Sequence, residues 1–432
     1  MRHDPSLVEI GGAEVLKSLI RVARQISRRL YMRVLLYAAL NVVAVLAAAL
    51  LEPLIPDGLG LTIGAGSVDT ILQIIASSML AVTTFSLTIM TSAFGRASGQ
   101  WTPRSHLMLR EDTVTHSVLA TFVGAYLFAL VAIILRATDF YGAREIVVLF
   151  IVTLAVVAAI IVSIIRWIVH LEGLGSLTET AARMERHAAA TLGRAGDRPC
   201  NGGHPLDHPD LTIPGDAAVI TAPGPGYVQQ LYEDALQSAA EARDARIYVV
   251  AEVGSYVQKG DPLARVSGAG AVGEALRTAI REAIPVRDIR SFEQDPVFAV
   301  TVLSEVAVRA LSPGVNDPGT ATDILNRLSH VIPLAAPAGA DRSGPVRCDR
   351  LWVPPVQPEA LLHAAMDPVA RCAGDAVEVH EAIQRARDDI ARRAQPPLAQ
   401  AARDCAARAM RRARAAISDR ADRARLRACR KG

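Results

Sequence analysis

Four apolar stretches within the first 170 residues constrain this chain more than any other feature. They run over about residues 31–51, 70–94, 114–135 and 146–170. Each is long enough to cross a hydrocarbon layer of roughly 30 Å as a helix. Lipid offers the backbone no hydrogen bonds, so helices that close their own are the expected form. No charged residue lies deep inside any stretch. A proton relay or charge-coupled pump normally needs one, so passive permeation fits better than active transport.

Orientation follows from the basic residues near the stretch ends. Lys17, Arg21, Arg24, Arg28 and Arg29 precede the first stretch, and only Glu52, Asp57 and Asp69 separate it from the second. Arg96, Arg104 and Arg110 follow the second, Arg136 and Arg144 stand between the third and fourth, and Arg166, Arg183 and Arg186 mark the end of the fourth. This bias predicts a multi-pass protein of a bacterial inner membrane with both termini in the cytoplasm. His116 and His170 then sit at the inner interface as anchors. The cysteines, Cys200, Cys348, Cys372, Cys405 and Cys429, are scattered without a CxxC pair. Free thiols in a reducing compartment agree with a cytoplasmic location.

The second stretch carries a polar pattern. At about 100° per residue, Thr70, Gln73, Ser77, Thr84, Thr88 and Thr91 fall on one narrow stripe. Leu72, Ile75 and Met79 lie on the opposite side. The stripe is either a close-packing seam between helices or the wall of a polar path shared by several copies.

Beyond residue 170 the pattern changes. Residues 171–191 are helical in period and continue the fourth stretch, and Gly, Pro and Asp crowd 193–215 as a linker. Cys200, His204 and His208 stand there four apart, but the prolines and glycines between them prevent one ligand face, so no metal is expected. From about 217 to 266 the period becomes two, with short strands around Val219, Tyr227, Tyr248, Val257 and Ala264. Helical periods return over 272–284 and 296–332. Asp295-Pro296 and Asp317-Pro318 read as N-cap plus first-turn proline, and Asp367-Pro368 repeats the dipeptide. The end of the chain is rich in Ala and Arg and reads as a solvated helical face, with anionic lipid as the alternative partner.

Three segments carry a family resemblance. They are 77–104, ending in ASGQWTPR; GYVQ at 226–229 with VGSYVQKGDPLA at 253–264; and QDPVF through RALSPGVNDPGTA at 294–321. The chain resembles the predicted bacterial membrane proteins of domain of unknown function 2254 over about 71–389. The resemblance implies a polytopic inner-membrane protein with a cytosolic domain. Tyr232 stands where relatives of this pattern carry Asp, so a role resting on that Asp does not transfer.

The expected fold is therefore an integral membrane α-helical domain of four transmembrane helices plus a cytosolic α+β domain. The latter has a small β module and a helical remainder. The expected divisions are an N-terminal helix (1–30), membrane domain (31–170), helix and linker (171–214), β module (215–270), helical domain (271–390) and Arg-rich tail (391–432).

No GxSxG, HExxH or phosphate-loop pattern occurs, so no catalytic residue, metal or other cofactor is expected. A net charge of +3 without a binding module excludes a general nucleic-acid partner. The expected partners are the bilayer, further copies of the chain, and a small ion or ligand. Two functions follow. One is an oligomeric channel or passive transporter lined by the second stretch. The other is a membrane-tethered sensor or scaffold with its site near the ALSPGVNDPGTA turn, using Asp295, Glu305, Arg309, Ser312, Asn316, Asp317 and Thr320. Each of these seven also has a structural role open to it as cap, turn former or ion pair.

Overall fold

The structure is a computed structural model that describes residues 65–100, 113–138, 145–173, 177–268, 272–337 and 346–429. The chain divides into two compact units, Met1–Glu179 and Thr180–Gly432. In the first, helices α1 (Ala65–Gln100), α2 (Thr113–Ala137) and α3 (Glu145–Gly173) contain apolar spans at Gly66–Ser92, Val114–Ala137 and Ile146–Leu171. These match the second, third and fourth expected stretches. The expected first stretch, 31–51, lies outside the described residues, as do residues 174–176, where continuity between α3 and the next helix would show.

Helix α2 packs on both of its neighbours. Val68, Leu72, Ile75 and Met79 of α1 meet a core that includes Phe122 and Phe128 of α2 and Leu149 of α3. Ala125, Ala129 and Ala132 of α2 are small and buried, which lets helix backbones approach closely. Polar contacts tie the helix ends. Arg136 donates from Nε and Nη2 to the two carboxylate oxygens of Asp69, both at 3.0 Å, joining the end of α2 to the start of α1. A guanidinium fork on a carboxylate fixes both distance and angle. At the other end of α2, Thr115 Oγ1 lies 3.1 Å from His170 Nε2 of α3.

The second unit begins within α4 (Leu177–Asp197) and holds two sheets. Its strands are β1 (Gly203–Pro205), β2 (Ala218–Thr221), β3 (Gly226–Val228), β4 (Ala245–Val249), β5 (Tyr256–Val257), β6 (Pro262–Gly268), β7 (Val286–Arg287) and β8 (Cys348–Val353). The larger sheet has the order β1-β8-β4-β6-β2, and the smaller β5-β3-β7. β4, β6 and β2 are antiparallel neighbours, whereas β8 runs parallel to both β4 and β1. Helices α5 (Pro209–Thr212), α6 (Glu233–Glu241) and α7 (Glu274–Ala283) are interspersed with these strands. Ile220, Leu236, Ile247, Leu263, Ile280 and Leu351 form the common core.

The sheet therefore reaches outside the expected 215–270 module. β1 comes from the linker, and β8 from the stretch expected to be helical. β8 buries Leu351 and Val353 on one face, and Cys348 is buried at its start.

The remaining helices are α8 (Pro296–Ala310), α9 (Pro318–Val331), α10 (Pro358–Ala365), α11 (Asp367–Cys372), α12 (Val377–Arg393), α13 (Pro396–Ala416) and α14 (Arg420–Ala428). Phe298, Leu303, Ile324, Leu328, Ile383 and Ile390 are among their buried side chains. α13 buries Leu398, Ala402, Cys405 and Ala406, so the Arg-rich end is integral to the unit and packs against α12.

Candidate functional site

All six stripe residues of α1 are exposed, on the side of the helix opposite Val68, Leu72, Ile75 and Met79. The hydroxyls of Thr70, Ser77, Thr84, Thr88 and Thr91 each donate to the carbonyl four residues back, at 2.5–3.0 Å. Such back-bonding makes a hydroxyl cheap to hold in an apolar medium. Gln73 differs, because its amide makes no such bond. Its side chain bonds to no protein group among the described residues. The hydroxyls on the buried side are Thr83, bonded to the Met79 carbonyl, and Ser86, which has no hydrogen-bond partner among the described residues.

In the second unit the signature residues separate into two places. Asp295 lies at the start of α8, while Ser312, Asn316, Asp317 and Thr320 lie beyond its end. Fifteen helical residues put about 22 Å between those ends, so the seven do not form one site. Glu305 is half-buried and Arg309 exposed along the same helix.

The first place is a buried polar knot. Asp295 Oδ1 accepts from the Phe298 amide at 2.8 Å, capping α8, and Oδ2 accepts from Arg290 at 2.6 and 2.8 Å. The Arg290 guanidinium also lies 4.7 Å from the Phe298 ring centroid. Burial raises the Asp295 carboxyl above its ordinary value, while the Arg290 charge and the Phe298 amide pull against it.

Gln294 works beside it. Its amide exchanges two bonds with the Leu231 backbone, accepting at 2.7 Å and donating at 3.0 Å, as a strand neighbour would. Gly254 has φ +88° and donates to the Val228 carbonyl at 2.8 Å. A Cβ there would stand 1.9 Å from Asp295 Oδ2. Thus GYVQ, VGSYVQ and QDP, far apart in the chain, meet in one knot.

The second place is an exposed turn. Asn316 has φ +49°, and its amide and that of Val315 donate to the Ser312 carbonyl, both at 2.9 Å. The Ser312 hydroxyl donates to the Arg309 carbonyl at 2.7 Å. Asp317 caps α9, accepting from the Thr320 amide at 3.0 Å and hydroxyl at 2.5 Å. Those two bonds hold its carboxyl below its ordinary value. Thus Ser312, Asn316, Asp317 and Thr320 all hold the turn.

The third Asp-Pro differs from both. Asp367 starts α11 without capping it, because the N-cap position belongs to Met366. Its carboxylate instead meets His363 at 2.5 Å, Arg408 at 3.3 Å and Arg412 at 3.4 Å. The buried Cys405 thiol donates to the same carboxylate at 3.5 Å. Burial, with the Asp367 charge, pushes that thiol up to about 12, which leaves it protonated and unreactive.

An open cleft of about 660 Å³ lies elsewhere in this unit, lined by Arg198, Cys200, Arg347, Gln357 and Leu398 among others. None of the seven signature residues lines it; Asp295 and Gln294 line a smaller neighbour of about 100 Å³. Sequence reasoning missed this cleft, since its wall includes left-handed residues Cys200 and Gly202 that periodicity does not mark. His204 of the Cys–His run stacks on Trp352 at 4.7 Å and bonds the Asp349 carbonyl. Among the described residues no group of three His, Cys, Asp or Glu is placed to hold a metal.

A family model for a predicted membrane protein, DUF2254, matches residues 27–389. The chain belongs to this family. The match includes α1–α3, both sheets, the knot and the capped turn, and stops before α13 and α14. The chain is also 30% identical over 167 residues to uncharacterised proteins of Mycobacterium bovis and Mycobacterium tuberculosis. The aligned part covers 37% of this chain and 32% of those relatives, so the chain spans about a third of the length of the curated relatives it matches. No solved structure matches.

Proposed function

We propose that the chain assembles as a homo-oligomer in a bacterial inner membrane and that the hydroxyl face of α1 lines a passive path for a small ion or polar solute. Both termini and the α+β unit lie on the cytoplasmic side in this reading, as the basic residues flanking the spans predict. The chain catalyses no reaction. Gln73 carries the argument. An amide facing hydrocarbon without a partner costs roughly 2–7 kcal/mol, a cost relieved by water or by a neighbouring copy. The five back-bonded hydroxyls extend the same face along the span and present oxygen to whatever passes.

Two measurements test this. The native mass in a membrane mimetic should be a multiple of the chain mass, and a monomer would reject the assembly. Thr84→Val combined with Thr88→Val should alter flux in reconstituted vesicles and leave that mass unchanged. Flux equal to that of the parent would remove the stripe from the path.

A second reading has the α+β unit sense a small ligand, and the observation favouring it is the 660 Å³ cleft. It moves the ligand away from the 311–320 turn, where the Ser312, Asp317 and Thr320 side chains are engaged in cap and turn bonds. A metabolite screen by thermal shift on the full chain, with Arg347→Ala as control, decides it. A shift retained in that variant, or none at all, would set it aside.

A further inference from the structure

We propose that α13 and α14 dock on anionic lipid headgroups through an exposed arginine face. Residues 396–429 hold nine arginines against three aspartates, which leaves the rest of the chain net negative. Part of this charge is spent inside the unit. Arg408 and Arg412 meet Asp367, Arg425 meets Glu381, and Arg423 donates to the Ile417 carbonyl at 2.6 Å. Arg411, Arg414, Arg420 and Arg427 are exposed, and their guanidinium groups bond to no protein group among the described residues. Folding therefore leaves four guanidinium groups facing outward.

Their placement is fixed by packing. α13 buries Ala402, Cys405, Ala406, Ala409 and Ala413, so Arg403, Arg411 and Arg414 share the outward side. Asp419 caps α14 through the amides of Ala421 and Asp422. Arg423 then closes the corner between the helices. Arg420 and Arg427, seven apart, lie on one side of α14, and Leu426 anchors another.

The chemistry selects the partner. A guanidinium pairs well with phosphate oxygens, and several on a fixed face suit a layer of phosphates. The segment 396–429 contains no aromatic residue, so it offers no stacking platform for bases. The spans of the same chain hold a bilayer within reach, which raises the effective concentration of headgroups. The segment also lies beyond the family match at 27–389.

The test uses the full chain in nanodiscs of phosphatidylcholine alone, or mixed with phosphatidylglycerol, and arginine-selective footprinting with phenylglyoxal. Modification of Arg411, Arg414, Arg420 and Arg427 should be about fivefold slower in the anionic discs at low salt. High salt should abolish the difference, and the exposed Arg246 should show none. Replacing the four by lysine should keep the lipid-dependent slowing of backbone hydrogen exchange over 420–428, and replacing them by glutamate should remove it. Equal footprints in the two discs would overturn the proposal. So would protection that requires added nucleic acid, or protection present in neutral discs, which would indicate another copy or a protein partner.

Discussion

Helices α8 and α9 begin with the same dipeptide, an aspartate cap followed by proline, yet the two starts meet opposite surroundings. Asp295 is 1% exposed, shares its carboxylate with Arg290, and is raised above the ordinary carboxylate value by burial. Asp317 stands at a surface turn, shares its carboxylate chiefly with Thr320, and is lowered by those hydrogen bonds. Local sequence supplies a helix start in both cases. What the start is worth depends on residues far away in the chain. Asp295 joins three signature segments, whereas Asp317 joins α8 to α9.

The sharpest way to break this comparison is to remove each cap. Asp295→Ala loses the α8 cap and leaves Arg290 without its carboxylate. The expected loss is about 3 kcal/mol, the low end for breaking a buried pair, because Arg290 keeps 24% of its side chain in water. Gly254→Ala attacks the same knot from the other side, since its Cβ meets Asp295 and its φ is left-handed. It should cost a similar amount, and hydrogen exchange of the buried α8 amides in the full chain reads both. Asp317→Ala should cost only about 1 kcal/mol, the ordinary value of a cap. Equal losses at the two aspartates would mean that burial adds nothing to the first.

Much of this was legible in sequence, for reasons of range. The Asp-Pro starts of α8 and α9 are decided within four residues, so pattern suffices. The spans of α1–α3 are decided by composition over twenty. The strands β2, β4 and β6 are neighbours linked by alternation. What pattern missed is decided at long range. β8 pairs with β4 from about a hundred residues away, Asp69 meets Arg136 across 67 positions, and Gln294 completes the Leu231 backbone across 63. The dipeptide alone does not show that Asp367 leaves the cap position to Met366 and is captured instead by Arg408 and Arg412 from α13. The hydroxyl stripe was legible as a stripe, but which face of α1 packs against α2 is a tertiary fact.

The two caps should also differ in the sign of their pH dependence. Asp317 is lowered in the folded state, so its contribution is complete above about pH 4 and fades as pH falls through its folded value. Asp295 is raised, so its contribution is greatest below about pH 4 and declines as pH rises through its folded value. The stability gap between parent and Asp317→Asn should therefore close on acidification. The gap between parent and Asp295→Asn should narrow as pH rises. Thermal unfolding of the three proteins between acid and neutral pH checks both signs, and parallel gaps would contradict the assignment.

The smallest expected effect separates structure from function at the exposed turn. Asn316 occupies left-handed space at φ +49°, which asparagine tolerates and glycine adopts freely. Asn316→Gly should therefore change stability by no more than about 0.5 kcal/mol, as relief in the folded turn is offset by greater freedom of the unfolded chain. Asn316→Ala should cost about 1 kcal/mol, since alanine has no local hydrogen bond to offset the left-handed backbone. If the turn only joins α8 to α9, flux and assembly of the reconstituted protein should be the same in parent and Asn316→Gly. A change in flux at unchanged stability would give the Asn316 side chain a binding role that its exposed position permits, and would place the function-bearing end of α8 at its C-terminus rather than in the knot at Asp295.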